Sequence, residues 1–144
     1  MPTRTAATNW TGSLQEGSGQ VELQSSGAGT FEVSFPKRAA DDADGTTSPE
    51  ELIAAAHSSC FAMALSSELA KGGGTPKSLR VQADVSLGAD PAGGFKLSGI
   101  KLTVSGEVDG LDADGFRAAA EAAKVGCPIS KALAAVDISL EVTG

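Results

Sequence analysis

The chain has 144 residues, 41% hydrophobic and 20% charged, with a formal net charge of −7, which is enough sequence for one soluble domain, residues 1–144, that buries most of its apolar surface. The acidic balance, with no basic stripe, excludes recognition of phosphate backbones, so no nucleic-acid partner is expected; no apolar run approaches the ~20 residues of a membrane span, so no membrane association is expected either. Met1-Pro2-Thr3-Arg4 has no apolar core behind its basic residue, so no secretory signal is expected and the protein is read as cytoplasmic, in a reducing compartment.

Thr5 to Thr11, Gln20 to Gln24 and Thr30 to Ser34 read as short strands separated by Gly- and Ser-rich turns. Asp41-Asp42-Ala43-Asp44-Gly45 reads as a solvated acidic loop, because it lacks the ligand spacing of a calcium loop. A long helix is predicted from about Pro49 to Lys71. Ser48 is a suitable N-cap, Pro49 fits the first helical position, and Glu51 is spaced to reach back to the backbone N–H of the cap. Glu50 is left without a capping task, either as a surface carboxylate favoured by the helix dipole or as a functional one. From Leu52 to Leu65 the helix is apolar or small nearly all round, which predicts cover on more than one side.

Gly72-Gly73-Gly74 ends that helix, and Leu79, Val81, Ala83, Val85 and Leu87 then alternate as in a half-buried strand, with Phe95 to Val104 as its partner. A second helix from about Asp114 to Val125 carries Phe116, Ala119, Ala120 and Ala123 on one side. Gly126 closes it, a short helix led by Pro128 follows, and Val136, Ile138, Leu140 and Val142 give a final strand. The order predicts an α+β fold, with three N-terminal and three C-terminal strands in antiparallel sheet around the long helix.

Two cysteines in a reducing compartment are either inert core filling or a dithiol that cycles. Cys60 lies in the apolar helix among small and apolar side chains, where a thiol is commonly inert. Cys127 opens a helix led by Pro128, where free N–H groups and the helix dipole stabilise a thiolate. His57, one turn before Cys60, is either a base or pKa-lowering charge for that thiol, or a core histidine satisfied by a backbone carbonyl. His57, Cys60 and Cys127 are three potential zinc ligands without a usual metal spacing, so no metal is assigned.

The stretch from Thr47-Ser48-Pro49-Glu50-Glu51 through His57-Ser58-Ser59-Cys60-Phe61, with Met63-Ala64-Leu65-Ser66 behind it, Gly126-Cys127-Pro128-Ile129-Ser130 near the end and Trp10-Thr11-Gly12 near the start, resembles the OsmC/Ohr family of thiol-dependent peroxidases. Alanine and histidine before Cys60 resemble the osmotically inducible OsmC branch. The resemblance implies reduction of organic hydroperoxides, with hydrogen peroxide a poorer substrate. It implies a peroxidatic Cys60, a resolving Cys127 that forms a disulfide with it, and reduction by an external dithiol, either a dihydrolipoyl group or a small thiol. No cofactor is implied.

By motif position the resemblance also implies that Glu50 and Arg38 poise the Cys60 thiolate, with Lys37 as the alternative cation. Ile53, His57, Phe61 and Met63 are candidate lining for a dry pocket that takes an alkyl tail. On one continuous helix Glu50 and Cys60 are about 15 Å apart along the axis and roughly 80° out of alignment. The expected solution is an intertwined twofold homodimer, one subunit supplying both cysteines and the other Glu50 with Arg38, unless the first helical turn bends away from the axis. Two other classes stand beside this one: a Cys-His hydrolase using Cys60 and His57, and a non-catalytic structural or binding domain with inert thiols.

Overall fold

Short alternating segments with Gly and Ser turns build the first sheet. Strands β1 (Ala7–Thr11), β2 (Ser18–Glu22) and β3 (Thr30–Val33) lie in the order β1-β2-β3, both pairs antiparallel. The computed structural model describes residues 1–144 and divides into two compact units, 1–52 and 53–144. After β3 the first unit forms a five-residue helix, α1 (Phe35–Ala39), that the sequence reading does not anticipate, because one turn and a half is too short to show a period. Its local signal is Ser34, whose side chain accepts from the Lys37 N–H.

Helix α2 (Pro49–Lys71) has the bounds expected from its end signals. Ser48 Oγ accepts from the Glu51 N–H at 3.1 Å, as an N-cap should. Glu51 does not complete the capping box, however; its carboxylate accepts instead from the Thr47 hydroxyl at 2.6 Å. At the far end the Gly74 N–H bonds to the Leu69 carbonyl and the Gly73 N–H to that of Ala70, a Schellman closure in which Gly73 takes a φ of +90°. A Cβ on Gly74 would come within 2.9 Å of Leu111 and Val108 side-chain atoms, so the third glycine is required by packing.

The second unit adds strands β4 (Thr75–Ala89), β5 (Phe95–Asp109) and β6 (Ile138–Val142), with helices α3 (Ala113–Gly126) and α4 (Pro128–Ala132) between β5 and β6. The sheet order is β4-β5-β6. The β4–β5 pair is antiparallel, but β6 runs parallel to β5, which corrects the expectation of antiparallel pairing throughout. Reaching β5 through α3 and α4 gives the chain a crossover, the connection that parallel neighbours need. Register sets three apolar rows across the sheet: Val85, Ile100 and Ile138; Ala83, Leu102 and Leu140; Val81, Val104 and Val142.

Phe61, Leu65 and Leu69 of α2 pack in one core with Ile100, Leu102 and Val104 of β5 and with Phe116, Ala119, Ala120 and Ala123 of α3. From His57 onward the buried positions of α2 thus recur every four residues and form one stripe, whereas Ala55, Ala56, Ser59, Met63 and Ser67 are exposed in the single chain. Cover all round the helix, as its composition predicts, is not what one chain provides. By length and mean hydropathy, 23 residues and 1.2, α2 would also pass for a membrane span. Its packed stripe is that of a core helix.

Leu65 is fully buried at the centre of the stripe. Leu65→Ala is expected to lower unfolding free energy by about 2–5 kcal/mol in chemical denaturation; a loss under about 1 kcal/mol would place α2 outside the core.

Candidate active site

In the first unit the arrangement is a held cation. Arg38 lies in the last turn of α1, and Glu50 in the first turn of α2 is only 8% exposed. Arg38 Nε donates to both carboxylate oxygens at 3.1 Å and Nη2 donates to Oε1 at 2.7 Å, a bidentate pair that fixes the guanidinium plane. The hydrogen bond to Glu50 raises the Arg38 pKa further, so the group is permanently charged. Lys37 points to a different partner, pairing with Asp44 of the exposed acidic loop at 3.0 Å. Of the two candidate cations, Arg38 is therefore the one engaged with Glu50.

In the second unit the two cysteines, distant in sequence, are both free thiols and close enough for each to shift the titration of the other. Cys60 on α2 is partly buried; Cys127, the N-cap residue of α4, is fully buried. Cys127 makes no formal side-chain capping bond to α4. Burial works against its thiolate, but the Ser130 N–H, the Cys60 thiol, the Ser130 hydroxyl and the Ile129 N–H outweigh burial, and Cys127 titrates below an ordinary thiol. Cys60 moves the other way. Burial lifts its pKa, the Ile129 N–H opposes this, and hydrogen bonding and charge from Cys127 add to the rise. Within the second unit, then, Cys127 is the thiol of the pair that ionises more readily.

His57 is fully buried, and its Nε2 lies 2.7 Å from Ser130 Oγ. Burial lowers its pKa, so the ring is neutral. Nδ1 is buried with no hydrogen-bond partner. Neither ring nitrogen is hydrogen-bonded to Cys60 or to a backbone carbonyl; the partner of His57 is Ser130. Phe61 belongs to the core, Met63 is 74% exposed, and Ile53 is intermediate, so the four candidate pocket residues do not share one environment.

Ser130, which joins His57 and acts on Cys127, is assigned no role from the sequence alone, although it stands three residues after Cys127 at the head of a Pro-led helix. That spacing puts a side chain at the third helical position back over the N-cap, which is the signal that marks it.

Residues 41–141 match the family described as OsmC-like protein. Over 133 residues the chain is 40% identical to Peroxiredoxin OsmC of Escherichia coli (strain K12), covering 92% of this chain and 90% of that protein. It is 40% identical over 98 residues to organic hydroperoxide resistance protein OhrA of Bacillus subtilis (strain 168), covering 67% of each. The crystal structure of the organic hydroperoxide resistance protein OhrB of Bacillus subtilis superimposes with a TM-score of 0.75 at 30% identity, covering 96% of this chain and 98% of that one.

Removing each cation separates their roles. Arg38→Met strands the buried Glu50 carboxylate and is expected to cost about 1–3 kcal/mol of stability, while Lys37→Met, in an exposed pair, should cost under about 0.5 kcal/mol; equal losses in denaturant titrations would contradict the assignment. In the Cys60→Ser protein, ultraviolet thiolate absorbance should rise at a lower pH in the folded than in the unfolded state. A folded pKa below the unfolded one stabilises the protein above the unfolded value, and that contribution disappears as pH falls through the folded value. Coincident titrations would remove the thiolate from Cys127.

Proposed function

Because the chain belongs to the OsmC-like protein family, we propose that it is a thiol-dependent peroxidase that reduces organic hydroperoxides to alcohols. The observation that carries this reading is the meeting of two reduced cysteines at the start of α4, with opposite pKa directions and a shared N–H donor, Ile129. The names of the relatives, a peroxiredoxin and two organic hydroperoxide resistance proteins, support it. Residues 1–144 act in this reading as one OsmC-like domain in the reducing cytoplasm, with hydrogen peroxide as the poorer substrate.

In the proposed cycle the Cys60 thiolate attacks the O–O bond. An S–O bond forms, the alkoxide leaves and takes a proton as the alcohol, and Cys60 becomes a sulfenic acid. The Cys127 thiolate then attacks the Cys60 sulfur and hydroxide leaves as water once protonated, giving the Cys60–Cys127 disulfide. An external dithiol, a dihydrolipoyl group or a small-thiol pair, reopens it by exchange.

The first step needs a cation, because burial and then Cys127 raise the Cys60 pKa. We assign that cation to Arg38, held by Glu50, in a homodimer. Ten residues of α2 separate Glu50 from Cys60, about 15 Å of helical rise, so one subunit supplies both cysteines and the other the Arg38–Glu50 pair. Glu50 engages Nε and Nη2, which leaves Nη1 of the guanidinium for the thiolate and the peroxide oxygen.

Turnover with cumene hydroperoxide and a dithiol tests the reading. The native protein should turn over, Cys60→Ser should be inactive, and Arg38→Met should lose on the order of 10²–10³-fold in rate. One equivalent of peroxide should remove two hydrogens from the intact mass; sulfinic acid at Cys60 beside a free Cys127 thiol would overturn the resolving role. Mixed Cys60→Ser and Glu50→Ala chains should regain one complete site per heterodimer, and activity no higher than either parent, once subunit exchange is shown, would overturn the shared site.

A further inference from the structure

The buried polar groups of the second unit include one contact that the proposed cycle does not use. His57 Nε2 and Ser130 Oγ, 73 residues apart in sequence and both inside the core, meet at 2.7 Å, while His57 Nδ1 has no partner. The orphan nitrogen fixes the tautomer. A buried N–H without an acceptor is rarer and costlier than a buried lone pair without a donor, so the proton of the neutral ring sits on Nε2 and Nδ1 is the bare nitrogen. Nε2–H therefore donates to Ser130 Oγ, which leaves the Ser130 hydroxyl proton for another acceptor; Ser130 is the third residue of α4 and Cys127 its N-cap, a spacing that brings the hydroxyl back toward the Cys127 sulfur, on which Ser130 acts.

We propose that His57 and Ser130 are positioning residues for the resolving step: a one-way hydrogen-bond chain, His57 Nε2–H to Ser130 Oγ–H to Cys127 Sγ, holds Cys127 as the thiolate that attacks oxidised Cys60. The inference rests on the peroxidase reading for the identity of that step. The attack forms the S–S bond and breaks the S–O bond of the sulfenic acid. The hydroxide leaves past partly exposed Cys60 and takes its proton from solvent; the peroxide already consumed is the only oxidant. The chain's donors point toward the sulfur, and the groups acting on Cys127 are the Cys60 thiol of α2 and the Ser130 and Ile129 groups of α4, none of them formally charged. Within its own chain the resolving thiolate is supported by neutral donors only, and the Ser130 hydroxyl is one that a single substitution removes. His57 makes that hydroxyl a better donor, since a hydroxyl that accepts a hydrogen bond donates more strongly.

The test follows disulfide formation in the full-length reduced protein after one equivalent of cumene hydroperoxide, by rapid acid quench and intact mass. Ser130→Ala and His57→Leu should each slow conversion of the Cys60 sulfenic acid to the disulfide by about tenfold or more, and His57→Gln, whose amide N–H replaces Nε2–H, should recover most of the native rate. In the Cys60→Ser background the same substitutions should move the Cys127 thiolate titration upward, again with recovery in His57→Gln. A native rate and an unmoved titration in Ser130→Ala, or a His57→Gln protein as impaired as His57→Leu, would overturn the chain. Should Ser130→Ala fail to fold, the His57→Gln and His57→Leu comparison decides alone. A native protein that forms neither sulfenic acid nor disulfide would sink the peroxidase reading instead, and the titration still decides the hydrogen-bond chain.

Discussion

The rotation of α2 about its own axis is the constraint on which the thiol site depends. A helix of small residues has little to fix that rotation. Here it is fixed by four positions spaced four apart, His57, Phe61, Leu65 and Leu69, the last three seated in the core and the first hydrogen-bonded to Ser130. Positions three and four apart on a helix lie on neighbouring ridges, so Cys60 flanks this stripe and its sulfur is delivered to Cys127. Core packing and site geometry are one event in this part of the chain. A repacking that turned α2 by one ridge would exchange Cys60 for a neighbouring side chain without unfolding the helix.

Once in contact, the two sulfurs compete for a negative charge. Ionising one raises the cost of ionising the other, which is the reason for Cys127 appearing among the groups that lift the Cys60 pKa. The charge settles where donors are densest, at the head of α4. Moving it to Cys60 requires positive potential on the other side of the pair, and in a chain of net charge −7 that potential must be local, because the overall field opposes it. The same acidity has little effect on the approach of a neutral hydroperoxide.

Much of this was open to reading in the sequence, and the parts that were not share a physical reason. Both ends of α2 are legible because they depend on neighbouring residues: Ser48 and Pro49 at the start, three glycines at the stop. The thiolate-stabilising place of Cys127 is legible for the same reason. The parallel pairing of β6 is not, since alternation tells which face is buried but not which way the neighbour runs. Nor does composition say whose surface covers a small, apolar helix: Met63 and Phe61 are two residues apart and equally apolar, yet one is 74% exposed and the other fully buried. The partner of Glu51 escapes because a carboxylate within reach of both a backbone N–H and a threonine hydroxyl is decided by backbone detail, here in favour of Thr47.

The Arg38–Glu50 pair shows the other half of the argument, that a chain spends structure on orientation as well as stability. A largely buried ion pair contributes little net stability, because desolvation consumes most of its attraction, and an apolar pair of similar volume would do as well. Yet several local contacts keep this one in register. Ser34 caps α1 and so sets the turn that carries Arg38. Lys37, the adjacent cation, is drawn off by Asp44, and Glu51, the adjacent carboxylate, by Thr47. With both neighbours engaged elsewhere, one guanidinium and one carboxylate remain to form the bidentate contact. Such selectivity does nothing for a charge that only has to be neutralised. It matters for a cation that has to present its free nitrogen in one direction, which is the task proposed for Arg38.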